Sequence, residues 1–134
     1  MNIQQESNTL PKSERLSGEK RISALFSSSR SFVVYPFRVV YLLIESDNPQ
    51  VTMMVSVSKK KFKRAVKRNR IKRLMRESYR KNKAEYHTVA HNAGRSIDIA
   101  FLYLKNELAD YEEIETAMTK AANVLNNKVN VENK

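Results

Sequence analysis

From Ala65 to about Tyr86 the chain contains neither glycine nor proline and is full of helix formers, so this stretch has to be a helix. At about 100° per residue, Ile71, Leu74, Met75 and Ser78 fall within one arc of roughly a third of a turn and predict a buried stripe. Arg68, Lys72, Arg76 and Arg80 follow one another at four-residue spacing around the outer side, with Arg73 beside that row and Asn69 between its members. One face packs on a core while the other holds a ladder of cations about 6 Å apart. That interval is comparable to the distance between successive phosphates. Arginine suits the task, because its planar fork grips phosphate oxygens in pairs and stacks on bases.

The charge of the whole chain follows the same pattern. Lys+Arg 25 against Asp+Glu 14 gives a formal net charge of +11. The segment from Lys59 to Lys83 holds 14 of those 25 cations and one acid, Glu77, whereas Glu107 to Glu115 holds five acids and no base. A merely solvated helix face mixes both signs, which local pairing with one acid cannot provide. A membrane-surface helix needs large exposed apolar side chains, and Tyr79 is the only aromatic between Ala65 and Arg80. A folded polyanion is the partner this patch predicts.

The remaining segments supply a core. With 134 residues, 41% of them apolar, the chain fits one domain, expected over residues 13–126 between flexible tails at 1–12 and 127–134. No apolar run approaches the ~20 residues that span a bilayer, Met1 to Lys12 lacks the apolar middle of a signal peptide, and cysteine is absent. A cytoplasmic protein without membrane contact is expected. Ser17 is the expected cap of a short helix to about Ser28, with Ile22, Leu25 and Phe26 turned to the core. Phe37 to Ile44 and Val51 to Ser58 read as strands, the second alternating Val51, Met53, Val55 and Val57 against Thr52, Met54, Ser56 and Ser58. With turn residues Asp47, Asn48 and Pro49 between them, they are expected to form an antiparallel hairpin. Gly94 should end the basic helix, Ile97 to Leu104 reads as a strand buried on both faces, and Asp110 opens a last helix with Ile114, Met118, Ala121 and Leu125 inside. The prediction is an α+β fold in which a small mixed sheet of about four strands packs with three helices, in the order α-β-β-β-α-β-α.

The run Lys63-Arg64-Ala65-Val66-Lys67-Arg68-Asn69-Arg70-Ile71-Lys72-Arg73-Leu74-Met75-Arg76-Glu77 resembles the signature of the bacterial ribonuclease P protein subunit. Val55-Ser56-Val57-Ser58-Lys59-Lys60, Arg15-Leu16 and Phe26 also match that family, and the resemblance spans roughly residues 15–125. It implies a ribosomal-protein-like fold with a left-handed β-α-β crossover. It also implies a protein, one copy per catalytic RNA and itself monomeric, that joins ribonuclease P RNA to remove the 5′ leader of precursor tRNA. Magnesium would serve the RNA-based holoenzyme, with no cofactor bound by the protein alone.

Carried over by position, Arg68, Asn69, Arg70, Lys72, Arg73 and Arg76 fall on the helix that binds the catalytic RNA, and Lys60, Lys61 and Arg64 in the basic loop before it. Phe26 and Tyr41 match positions lining a cleft for the single-stranded leader, where a base stacked on an aromatic ring gains about 1–3 kcal/mol. Where the family often has a second aromatic, one turn before Phe26, this chain has Ile22, which offers no π face. Phe32 or Phe37 is the candidate replacement, although Phe37 reads equally well as core packing.

The protein shows no catalytic apparatus of its own. His87 and His91, four residues apart, lie in a polar stretch with no acid between Tyr86 and Arg95 and read as structural or solvated rather than metal-binding. No glycine-rich phosphate loop and no carboxylate cluster for two magnesium ions is present. Two rivals remain on the residues alone. A ribosomal or ribosome-assembly protein would also be small and basic, but would bind RNA without leader cleavage. A DNA-binding repressor expects a partner helix just before the basic one, where Val51 to Ser58 reads instead as a strand.

Overall fold

A computed structural model of the protein describes residues 10–28 and 30–132. After a 3-10 turn at Lys12–Glu14 the order is α1 (Glu19–Ser27), β1 (Ser31–Val34), β2 (Phe37–Glu45), β3 (Val51–Ser56), α2 (Ala65–Ala93), β4 (Arg95–Tyr103) and α3 (Tyr111–Glu132). The predicted order holds. α1 lies on one face of a four-stranded mixed sheet, and α2 and α3 pack on the other.

The expected hairpin between the second and third strands does not form. The sheet order is β1-β2-β4-β3, with β4 inserted antiparallel to β2 and parallel to β3. The burial of β4 explains this: every side chain from Ile97 to Phe101 is buried, and such a strand needs a neighbour on each side. The real hairpin joins β1 to β2 through Tyr35–Pro36. α2 makes the long connection between the parallel strands β3 and β4.

The main core lies between the sheet and the two long helices. Tyr79, Tyr86 and Phe101 form a ring cluster with centroids 5.1 to 6.0 Å apart, and the Tyr86 hydroxyl donates to the Met118 carbonyl at 2.7 Å. The buried stripe of α2 contains Ile71, Met75 and Ser78 as predicted, with Leu74 half-buried, and continues through Asn82, Tyr86 and Ala90. α2 therefore runs one and a half to two turns past Tyr86 and stops at Gly94, whose φ of 66° only glycine adopts without strain. The inner stripe of α3, Ile114, Met118, Ala121 and Leu125, is buried as expected, and Asp110 Oδ1 accepts the Glu113 amide at its start.

Several boundaries and one cap differ from expectation: β3 ends at Ser56 rather than Ser58, and β4 covers Arg95–Tyr103 rather than residues 97–104. α3 does not end near residue 126 but continues to Glu132, because Val129 is buried and the Glu132 carboxylate binds Arg30 and the Tyr41 hydroxyl. At the other end Leu10 packs against the core, so order begins before residue 12; residues 1–9 lie outside the described residues. Ser17 does not cap α1. Gly18, at φ 96°, precedes the helix, and its carbonyl accepts the Ile22 amide at 3.0 Å.

Candidate nucleic-acid interface

The loop from β3 to α2 hangs on one buried side chain. Phe62 lies against Tyr103 with centroids 6.0 Å apart, and its amide donates to the Ser58 carbonyl. Around this anchor Lys59, Lys60, Lys61, Lys63 and Arg64 are all exposed. Lys61 also donates its ammonium to the Leu104 carbonyl. α2 then starts with no acid in its first turn and no side-chain cap from Arg64. From Ala65 to Arg70 only Arg68 is even half-buried, and Val66 is 79% exposed. Cations at the positive end of a helix dipole are each unfavourable by about 0.3–1 kcal/mol. An anion brought to this end relieves that repulsion and satisfies the first amides of the helix.

The predicted cation ladder divides when each side chain is traced. Arg64, Asn69, Arg70 and Arg73 are exposed, and Lys72 is half-buried. Arg68 turns back to donate to the carbonyls of Phe62 and Lys63, at 2.8 and 2.9 Å, so it braces the basic loop. Arg80 is gripped by Glu77, with Nη2 2.5 Å from Oε1. That pairing lowers the Glu77 pKa and raises that of Arg80. Arg76 is half-buried; its pKa is lowered by that burial and by the nearby Arg15 guanidinium.

Arg15 and Arg76 share a cleft of about 340 Å³ with Lys12, Leu16, Ser17 and residues 53–55, which contains no acid. The basic surface thus passes from α2 around the β3 edge to the opposite face of the sheet. Neither Lys12 nor the pairing of Arg15 with Arg76 is recognisable from local pattern, since 61 residues separate the two arginines.

On that opposite face α1 crosses the sheet. Its approach is tied to β3, where the Leu16 amide donates to the Met53 carbonyl, and its exit to β2, where Ser28 Oγ donates to the Tyr41 carbonyl. Leu25 is its one fully buried residue, packed in a small cluster with Leu16, Val40 and Ala100. Ile22 is half-buried against the same cluster, together with Leu42, Met54 and Leu102. Phe26, expected in the core, is 42% exposed and presents a ring to solvent. On the same face of the sheet, Arg38, Ser56 and Leu102 form the row next to Val40, Ala100 and Met54 and are exposed or half-buried.

Tyr41 does not join Ile22 and Phe26. Side chains alternate along β2, so with Val40 and Leu42 facing α1, Tyr41 faces α3. There it is buried, 6.1 Å from the Phe32 ring, with its hydroxyl donating to Glu132 at 2.7 Å. Phe32 and Phe37 lie in the same core and supply no ring to the α1 face.

His87 and His91 occupy α2. His87 Nε2 lies 3.8 Å from Glu14 Oε1, and burial lowers its pKa, with Lys83 acting in the same sense and Glu14 against it. Among the described residues, no group of three or more His, Cys, Asp or Glu side chains is arranged to hold a metal ion. No helix there is long and apolar enough to cross a membrane.

The family model for ribonuclease P matches residues 10–126. The ribonuclease P protein component of Porphyromonas gingivalis is 47% identical over 113 residues, covering 84% of this chain and 82% of that protein. The corresponding component of Chlorobium phaeobacteroides is 39% identical over 72% of this chain and 73% of its own length. Among solved structures, the Thermotoga maritima RNase P protein superposes with a TM-score of 0.62 at 24% identity, over 85% of this chain and 96% of that one. A Staphylococcus aureus RNase P protein mutant gives 0.64 at 20%, over 92% and 97%. These two likenesses establish the fold, and the family match and the closer sequences establish the lineage: the chain belongs to the bacterial ribonuclease P protein component family.

Proposed function

We propose that the protein is the RNA-binding subunit of a cytoplasmic ribonuclease P, and that it promotes 5′ maturation of precursor tRNA without carrying out the chemistry itself. The basic loop and the first turns of α2, with Lys60, Lys61, Arg64, Asn69, Arg70, Lys72 and Arg73, hold the catalytic RNA. Arg76 and Arg15 extend that grip around the β3 edge. The face beside α1, walled by Ile22 and Phe26, takes the single-stranded leader, with Phe26 as the stacking ring. Tyr41 has no part in that cleft.

The observation that carries this reading is the exposed, acid-free start of α2, whose cations oppose the helix dipole and of which Arg68 alone is drawn back to brace the loop. Magnesium is expected of the RNA-based holoenzyme rather than of the protein alone. One protein per catalytic RNA is the expected stoichiometry.

The test is reconstitution with a bacterial ribonuclease P RNA and a precursor tRNA at low magnesium. Stimulated 5′ cleavage is the expected result. Binding to RNA without any stimulation would instead fit a ribosomal or ribosome-assembly protein and contradict the proposal.

A further inference from the structure

A carboxylate is buried where none belongs on apolar grounds. Asp98 sits in the middle of the central strand β4, 1% exposed, on the face that otherwise presents Val40, Leu42, Ala100 and Leu102 to α1. Such a group is tolerated only when paired and hydrogen-bonded. Its partner is Arg21 of α1, whose Nε and Nη2 donate to the two carboxylate oxygens at 2.9 and 2.8 Å. Nη2 donates also to Thr52 Oγ1 of β3 at 3.1 Å, so one guanidinium ties α1 to two strands.

Helix geometry then gives the clamp a direction. Around α1, Arg21 lies about 40° to one side of Leu25, while Ile22 and Phe26 lie about 60° and 100° to the other. α1 crosses the sheet above the row that contains Tyr41, Ile99 and Met53. Arg21 reaches back to the row of Leu42, Asp98 and Thr52. The opposite flank leans toward Arg38, Leu102 and Ser56, where the sheet is open. α1 has nine residues and one fully buried side chain, so Leu25 alone would act as a pivot.

We propose that Arg21 is a positioning residue: its bidentate bond to Asp98, with Thr52, stops α1 from rolling about Leu25 and so fixes Phe26 over the open sheet for the leader. The proposal rests on the leader-cleft reading above. It also accounts for a cleft with one aromatic, since a single ring grips a base only if it is held in place.

The double variant Arg21→Met/Asp98→Leu tests this without leaving a charge buried. Only Asp98 is buried, Arg21 being 48% exposed, and replacing both leaves no unpaired charge in the core, so the variant should fold and keep its unfolding midpoint. Hydrogen exchange of the α1 amides should accelerate by about tenfold or more while β4 and α2 remain protected. In reconstituted holoenzyme, the preference for precursor over mature tRNA should fall by about fivefold or more, as removal of one base stack would cause. Adding Phe26→Ala to the double variant should then change that preference little. Unchanged α1 exchange together with unchanged precursor preference would overturn the proposal, as would fully additive losses with Phe26→Ala. If Phe26→Ala alone leaves precursor preference intact, the leader-cleft reading fails, and the α1 exchange rates still decide whether the clamp exists. Should the double variant not fold, Asp98→Asn supplies the same comparison, with α1 exchange and precursor preference read in the same way.

Discussion

The two halves of α2 are one continuous helix built on opposite principles. From Met75 to Ala90 its inner residues are buried against the sheet and α3, with Tyr79 and Tyr86 wholly enclosed. From Ala65 to Arg70 almost nothing is buried, and the side chains are mainly cations. The first half buries little of the core, and the second buries nearly its whole inner face. The difference teaches that a helix anchored at one end can carry charge at the other that its own dipole disfavours. Such an end is stable in isolation only because the rest of the helix is held elsewhere.

The largest effect should come from breaking the anchored half. Tyr86→Ala removes a ring packed on Tyr79 and Phe101 and a hydrogen bond to Met118, and should lower stability by about 3–5 kcal/mol in denaturant unfolding. A loss well under that range would mean that the α2–α3 core tolerates a cavity there. The same contrast applies between aromatics. Phe26→Ala should leave unfolding nearly unchanged but weaken precursor tRNA binding by about 1–3 kcal/mol relative to mature tRNA. Equal losses for both tRNAs would remove Phe26 from the cleft.

Smaller effects sharpen the boundary between the halves. Arg68→Ala should lower stability by about 1 kcal/mol by removing its bonds to the Phe62 and Lys63 carbonyls, whereas Arg70→Ala should leave the unfolding midpoint where it was. Equal midpoints for the two variants would deny Arg68 its bracing role. The smallest effect concerns pH. Burial lowers the pKa of His87, so the unfolded chain binds that proton first. The associated stability is therefore full above about pH 6.5 and declines as the pH falls below that value toward the folded-state pKa. His87→Gln should flatten the decline, and a pH profile identical to that of the parent would contradict the assignment.

Local periodicity makes most of this legible. The buried stripe of α2, the inward Val51, Met53 and Val55 of β3 and the inner stripe of α3 repeat within a few residues and are found as read, whereas the outer cation ladder of α2 is divided by bonds to Glu77 and to the loop carbonyls. The basic patch is legible for the same reason, as is the family signature across it. What pattern does not disclose depends on contacts between distant segments. The insertion of β4 between β2 and β3 is invisible to either strand alone. The pairing of Arg21 with Asp98 crosses 77 positions. The family's matching position points Tyr41 to the leader cleft, but the strand's alternation turns it to α3, where Glu132 holds it. Phe26 illustrates the converse: helical spacing suggests core, and exposure results because α1 crosses the sheet with Leu25 at the centre of its contact.

The salt dependence of binding to ribonuclease P RNA tests the central division of α2 most directly. For Arg70→Ala/Arg73→Ala, the slope of log affinity against log salt should become shallower by about 0.7–0.9 for each phosphate that is no longer neutralised, with the unfolding midpoint unmoved. A slope identical to that of the parent protein would show that the exposed start of α2 does not meet RNA phosphates, and the account would fail.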